Sequence, residues 1–247
     1  MHYYNDLFYG KNIFDDSRYI SAKEMLAVYF DIFDAKKIVD VGCGRGAWLE
    51  ATKAHSSEYL VGIDGDWNNN KISKDIQFIP LDLNNFSTQF VQEKKLENKF
   101  DLCISAETLE HIENKNSKKF IEGLCNLSDN VLFSAAFNNQ GGINHINENL
   151  HSNWAKIFIE NKFYPFDIFR PNVWDNEKIS YWYRQNTFLY VKEGSLKHSQ
   201  IKSKHSRIKN ISFMDCIHPM MYEKKINKPI GEILKELFIK TKKKFTS

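Results

Sequence analysis

The stretch Asp40-Val41-Gly42-Cys43-Gly44-Arg45-Gly46-Ala47 ends an apolar run and places glycines at alternate positions. Glycine has no Cβ, so the chain bends tightly there and a ligand can approach the backbone. Taken alone the turn is ambiguous. Gly42, Gly44 and Ala47 also satisfy the dinucleotide fingerprint, which accepts Ala at its third position. Two further acids separate the alternatives. Asp64 follows the run Tyr59–Ile63 and lies 24 residues beyond Asp40, where a carboxylate accepts both hydroxyls of a ribose. Asp82 follows Ile76–Pro80, where a carboxylate accepts from an exocyclic adenine amine, and a dinucleotide site needs no acid there. Aspartate after a strand is ordinary turn chemistry. Three of them around one glycine turn describe a pocket for an adenosine that carries a positive centre, and their field disfavours phosphate.

These residues need a scaffold that brings strand ends together. Apolar residues at Ala22, Met25, Leu26, Tyr29, Phe30 and Phe33 follow a 3.6-residue period, which predicts a helix over 21–33, with Ser21 as N-cap and Glu24 closing a capping box. Strands are predicted at 37–41, 59–63, 76–79 (stopped by Pro80), 100–104, 131–134, 166–169 and 187–191. Helices are predicted at 46–54, 86–97, 117–127 and 152–161. Between the last two strands, Arg170–Gln185 shows no helical period, which predicts an antiparallel hairpin at one edge. The fold class is therefore α/β: a Rossmann-like, seven-stranded, mostly parallel sheet with helices on both faces. In such sheets the ligand sits beyond the carboxyl ends of the strands, where the three acids fall.

Composition narrows the class. The 247 residues carry 34 basic and 31 acidic side chains. Of these, 13 basic and five acidic residues fall in 193–247, leaving 21 and 26 in 1–192. A basic C-terminal extension, 192–247, thus follows an acidic body, 1–191. Such a tail suits nucleic acid or an anionic surface, but a solvated lysine-rich segment is the commoner case. Residues 229–240 have the pattern of an amphipathic helix (Ile230, Ile233, Leu234, Leu237, Phe238) suited to docking on protein, with a homodimer among the arrangements it allows. No apolar run is long enough to span a bilayer. The first residues lack the layout of a secretory signal, and the four cysteines form neither a disulfide framework nor a CxxC pair. A reducing cytoplasm is the expected location.

Val39–Gly46 resembles motif I of the class I S-adenosylmethionine-dependent methyltransferases, and Ser105-Ala106-Glu107-Thr108-Leu109-Glu110-His111-Ile112 resembles their motif after the fourth strand. Phe133-Ser134-Ala135-Ala136, Gln140–Glu148, Trp154, Arg170–Trp174 and Trp182–Asn186 are similar to a bacterial subgroup associated with polysaccharide, capsule and other surface-glycan biosynthesis. The resemblance covers about 37–191. It implies S-adenosyl-L-methionine as cofactor. Gly42, Cys43 and Gly44 would lie against its methionine part, with Asp40 orienting the turn or the amino group. Asp64 with Gly65 would hold the ribose, and Asp82 with Leu83 the adenine. Ser105 and Ala106 would offer backbone contacts. The polar stretch Asp66–Asn70 departs from the subgroup's tighter loop.

Methyl transfer is an in-line displacement, so the protein mainly aligns the acceptor and excludes water, and a hydroxyl acceptor gains from a general base. His145, in a loop on the ligand side after the fifth strand, is the first candidate, and Glu107 is the carboxylate alternative. His111 fits packing beside the cofactor and His151 a helix cap. His145 and Glu148, three apart, fall short of a metal motif, and no metal is expected. Arg170 and Arg184 could fork onto an acceptor phosphate, with Trp174, Trp182 and Tyr183 as a stacking floor. The expected reaction is O-methylation of a sugar or nucleotide-linked sugar, with no stable nucleic-acid partner. N-methylation of a small amine and methylation of RNA are the alternatives.

Overall fold

A computed structural model of the chain describes residues 13–66, 72–227 and 231. The strands are β1 (Lys37–Val41), β2 (Tyr59–Asp64), β3 (Gln77–Pro80), β4 (Leu102–Ala106), β5 (Asn130–Ser134), β6 (Phe163–Phe166) and β7 (Phe188–Lys192). They form one sheet in the order β3-β2-β1-β4-β5-β7-β6. β1 to β5 are parallel, while β7 runs antiparallel to both β5 and β6. The expected α/β architecture and its antiparallel edge are both present. Strand order reverses between β1 and β4, which opens the ligand crevice at their carboxyl ends.

The helices are α1 (Ser17–Phe30), α2 (Ala47–Thr52), α3 (Thr88–Glu93), α4 (Ser117–Leu127), α5 (His151–Glu160), α6 (Arg170–Val173), α7 (Tyr181–Asn186), α8 (Leu196–Ile201) and α9 (Pro219–Ile226). Alternation along the strands fills a core on each face of the sheet. Val39, Cys103, Val131, Phe133 and Tyr190 join Phe86, Phe120 and Phe158 on one side. Ile38, Leu102, Ile104, Leu132 and Leu189 join Met25, Tyr29 and Trp48 on the other. Burial on both faces is why these strands read as nearly continuous apolar runs.

Some boundaries differ from the sequence reading. α1 begins one turn early because Asp16 caps it, its carboxylate accepting from the Arg18 amide at 2.8 Å. Ser21 is no cap; it lies buried inside the helix and accepts from the Ser180 amide at 3.1 Å. The sixth strand is Phe163–Phe166 rather than 166–169. It is an edge strand, where Pro165 is tolerated despite its missing N–H. The connection from β6 to β7 holds two short helices, α6 and α7, where none was expected. With four and six residues they make too few turns to leave a periodic signature.

The chain divides into two compact units, 1–216 and 217–247. In the first, Ile201 of α8 and Met214 are fully buried in the two cores. In the second, α9 opens with Pro219 and is capped by His218, which accepts from the Met220 amide at 3.2 Å. The loop residues Trp67–Asn70 and most of the amphipathic segment 229–240 lie outside the described residues. Among the described residues, no helix is long and apolar enough to cross a membrane.

Candidate active site

The turn after β1 is built on left-handed backbone. Gly42, with φ of 88°, has its amide bonded to the Ile63 carbonyl at 2.8 Å. A Cβ added there would fall 2.1 Å from Thr108 Oγ1, so the turn after β1 and the segment after β4 touch only because residue 42 is glycine. Asp64 stitches the turn to the end of β2. One of its oxygens accepts from the Gly44 amide at 2.7 Å and the other from Gly65 at 2.6 Å. Burial pushes its carboxyl above the ordinary range while these two amides pull it back. Each oxygen keeps a second lone pair, so a ribose hydroxyl can still donate to it.

Asp40 is the more unusual acid. It is buried, and neither carboxylate oxygen has a hydrogen-bond partner. Burial, then the charge of Asp64, holds it well above the usual carboxylate range. Such a group is costly unless a partner arrives. Next to it, Cys43 is buried against Gly62, and burial followed by Asp64 pushes its thiol up, which makes it unreactive. Asp82 stands one strand further out. It is exposed and caps the short 3-10 turn Leu83–Asn85, accepting from the Asn84 amide at 3.0 Å. Leu83 is half-buried against the core. At the end of β4, Ser105 is buried with its hydroxyl unpartnered and Ala106 is half-buried. An unpartnered acid and hydroxyl beside a glycine turn fit a bound nucleoside with a cationic centre.

Glu107 follows directly. Its φ of 52° is left-handed, a costly conformation for a side-chain residue, and its amide is held by both the carbonyl and hydroxyl of Ser134, at 3.0 and 3.1 Å. Its carboxylate accepts from Asn186 at 3.0 Å and Gln140 at 3.1 Å, and Asn186 also donates to Gln140 at 2.8 Å. Burial raises Glu107, and these amides and the nearby His145 temper the shift. His145 pairs with Glu148 at 2.9 Å, and the same Glu148 oxygen accepts from the Gly141 amide at 2.6 Å. Burial would push Glu148 up, but these bonds outweigh it and leave it below its usual range. His111 Nδ1 lies 3.3 Å from the Asn144 carbonyl, and its ring stands edge-on to that of His145 with centroids 5.0 Å apart. Burial, then His145, pushes His111 down to about 4.

The structure therefore gathers Asp40, Gly42, Cys43, Gly44, Asp64 and Gly65 at one turn, and Glu107 near His145 in a polar cluster after β4 and β5. Gln140 and Asn186 of that cluster carried no role in the sequence reading; they stand 46 positions apart, and no spacing joins them. Glu110 was passed over too. It is fully buried, its carboxylate makes no well-formed hydrogen bond, and burial followed by Glu107 pushes it well up. Burial and Glu107 likewise raise Tyr181 and Tyr183, which marks both rings as neighbours of the cluster.

Other expectations are corrected. Arg170 is no phosphate fork. It is buried over the Phe188 ring and donates to Asp167 at 2.7 and 2.9 Å and to the Met214 and Phe213 carbonyls at 3.0 and 3.3 Å. Arg184 is buried and donates to the Trp174 carbonyl at 2.7 Å. Tyr183 and Trp182 pack in or against the core rather than forming an open floor. His151 starts α5 but is buried between the Met214 carbonyl, at 3.0 Å, and Asn186 Oδ1, at 3.1 Å, and burial pushes it down to about 4.

Known proteins supply the remaining comparison. A chain of the complex containing the Haloferax volcanii Trm112 methyltransferase activator aligns with a TM-score of 0.50 and 13% identity, over 72% of this chain and 91% of that one. An O-methyltransferase family protein from Burkholderia thailandensis gives 0.51 and 11%, over 72% and 55%. Human N-acetylserotonin methyltransferase gives 0.47 and 14%, over 70% and 51%, so the chain spans about half the length of that protein. At such identities the first two carry the fold alone. No curated protein matches the chain by sequence. The profile of the methyltransferase domain matches residues 14–139, just over half of the chain, and spans the glycine turn, Asp64, Asp82 and Glu107. The chain belongs to the methyltransferase-domain family.

Proposed function

We propose that this methyltransferase takes its methyl group from S-adenosylmethionine and places it on a hydroxyl oxygen of a sugar or related small precursor of a bacterial surface polysaccharide. In this reading residues 1–191 carry the catalytic residues, and 192–247 is a basic extension whose Ile201 and Met214 complete the two cores. The observation that carries the reading is the contact of Gly42 with Thr108, which sets the cofactor turn against the pocket that begins at Glu107.

The bound cofactor supplies an activated methyl on a sulfonium. The buried, unpartnered Asp40 favours that positive charge or the adjoining ammonium. Asp64 and Gly65 hold the ribose. Asp82 and Leu83 flank the adenine, and Ser105 and Ala106 line the floor. On the acceptor side, Gln140 and Asn186 hold Glu107 in place, and Glu107 accepts a hydrogen bond from an acceptor hydroxyl. Glu148 fixes one nitrogen of His145, so the other nitrogen can take the proton of the reacting hydroxyl. Arg170 and Arg184 are engaged with the protein, so recognition rests on hydroxyl groups rather than on a phosphate clamp.

The test is transfer of labelled methyl from S-adenosylmethionine into a panel of sugars, nucleotide sugars, small amines and RNA. Ether-linked label in a sugar supports the reading; label confined to amines or RNA overturns it. In His145→Ala, turnover on that sugar should fall about 100-fold or more with cofactor affinity kept, and unchanged turnover removes His145 from the chemistry.

A further inference from the structure

Glu110, His111 and His145 each offer one ligand atom, and these atoms lie within 4.8 Å of one another. Spacing alone had paired His145 with Glu148. The fold keeps that pair, at 2.9 Å, and also brings Glu110 and His111 to the same imidazole. Glu110 and His111 come from the 3-10 turn Leu109–His111, and His145 from the loop after β5. Backbone bonds clamp the two segments together. The amides of Ile146 and Asn147 both donate to the Glu110 carbonyl, at 2.9 and 3.1 Å. The Asn147 side chain donates to Leu109 O at 3.3 Å and to Ser117 Oγ at 2.8 Å.

Two independent features point to a ligand. Glu110 is fully buried, and neither carboxylate oxygen makes a well-formed hydrogen bond, with only the Glu110 and Ala136 amides facing it. Both imidazoles meet an oxygen acceptor at Nδ1: Glu148 at 2.9 Å for His145, and the Asn144 carbonyl at 3.3 Å for His111. Metal-bound histidines are held in this way, with one ring nitrogen donating to a carboxylate or carbonyl and the other turned to the ion. Glycine at 142 lets the loop backbone pack on the face of that ring, since a Cβ there would fall 2.2 Å from His145 Nε2 and 2.4 Å from its Cε1.

We propose that Glu110, His111 and His145 bind a divalent transition-metal ion that also takes a hydroxyl oxygen of the acceptor. Two imidazole nitrogens and one carboxylate oxygen suit Zn²⁺ or Mn²⁺ better than Mg²⁺ or Ca²⁺, which prefer all-oxygen sites. Three protein ligands leave coordination positions open. Bonds of about 2.1 Å bring ligand atoms to roughly 3–3.4 Å from one another, so binding draws the three side chains inward by about an ångström. This deepens the proposed function and rests on its hydroxyl acceptor. With the ion present, His145 is a ligand rather than the base. The O–H bond breaks with its electron pair left on the ion-bound oxygen, and the proton goes to water. That oxygen forms the C–O bond as the donor's S–C bond breaks with its pair on sulfur.

The experiment uses the full chain stripped with a chelator and titrated with ZnCl₂, MnCl₂ and MgCl₂ by calorimetry, with metal content measured after dialysis. We expect one Zn²⁺ or Mn²⁺ per chain, with Mg²⁺ at least tenfold weaker. Affinity should fall at least tenfold in Glu110→Gln, His111→Ala and His145→Ala, while S-adenosylhomocysteine binding and the melting curve confirm that each variant is folded. Glu148→Gln, which only loosens His145, should weaken the ion by about tenfold. Substoichiometric binding, or full affinity retained in His111→Ala and His145→Ala, overturns the inference. Chelator-resistant transfer to a sugar also overturns it and leaves His145 as base. An ion bound at this site without sugar methylation sustains the metal site and removes the proposed function instead.

Discussion

At the residue scale, two aspartates that look alike in sequence do different work. Asp64 is spent on two backbone amides, and its loss would both unpair them and remove the acceptor proposed for the ribose. Asp64→Ala should therefore weaken S-adenosylhomocysteine binding by about 1.5–3 kcal/mol, one to two orders of magnitude in Kd by calorimetry. Asp40 has no partner to lose. Its carboxyl is raised in the folded protein above an unfolded value near 3.8, first by burial and then by Asp64. The folded state thus keeps a proton that the unfolded chain releases. The stability it contributes is present below the unfolded pKa and is lost as pH rises toward the folded one. In the ligand-free protein, Tm should fall more steeply for the wild type than for Asp40→Asn as pH rises above about 4; parallel curves would show that Asp40 carries no such penalty.

At the element scale, the contact between the β1 turn and the segment after β4 positions the site. Gly42→Ala places a methyl 2.1 Å from Thr108 Oγ1 and 2.4 Å from its Cγ2, at a φ of 88°. Lower Tm and at least tenfold weaker S-adenosylhomocysteine binding are expected. Adding Thr108→Gly should recover the part due to collision and not the part due to backbone strain. Helix starts are a separate matter. Asp16 caps α1, so Asp16→Ala should cost about 0.5–2 kcal/mol in a denaturant melt with cofactor affinity unchanged.

At the scale of the whole molecule, the sheet needs residues beyond its last strand. Met214 is buried in one core and its carbonyl takes bonds from both Arg170 and His151, while Ile201 is buried in the other core. A chain ending after Lys192 loses all of these, and one ending after Cys216 keeps them. The shorter chain should show no cooperative melt, and the longer one a Tm close to that of the full chain. A cooperative melt for 1–192 would mean that these contacts are dispensable.

Much of this protein is legible from local pattern. Runs such as Lys37–Val41 and Asn130–Ser134 are apolar on both faces and so declare central parallel strands, and the glycine turn declares itself because left-handed backbone admits few other residues. Period and backbone sterics are properties of neighbours in the chain. The four-residue α6 leaves no period to read, and Ser21 looks like a cap because only its distant partner Ser180 shows that it is core. The proposed acceptor site is of the second kind. Glu107, Gln140 and Asn186 come from three separate segments, and Glu110 and His111 meet His145 only after β4 and β5 have paired. Sequence determined the sheet and its glycine turn. Tertiary packing decided which carboxylates stay unpartnered, because burial and hydrogen-bond satisfaction depend on groups far away along the chain.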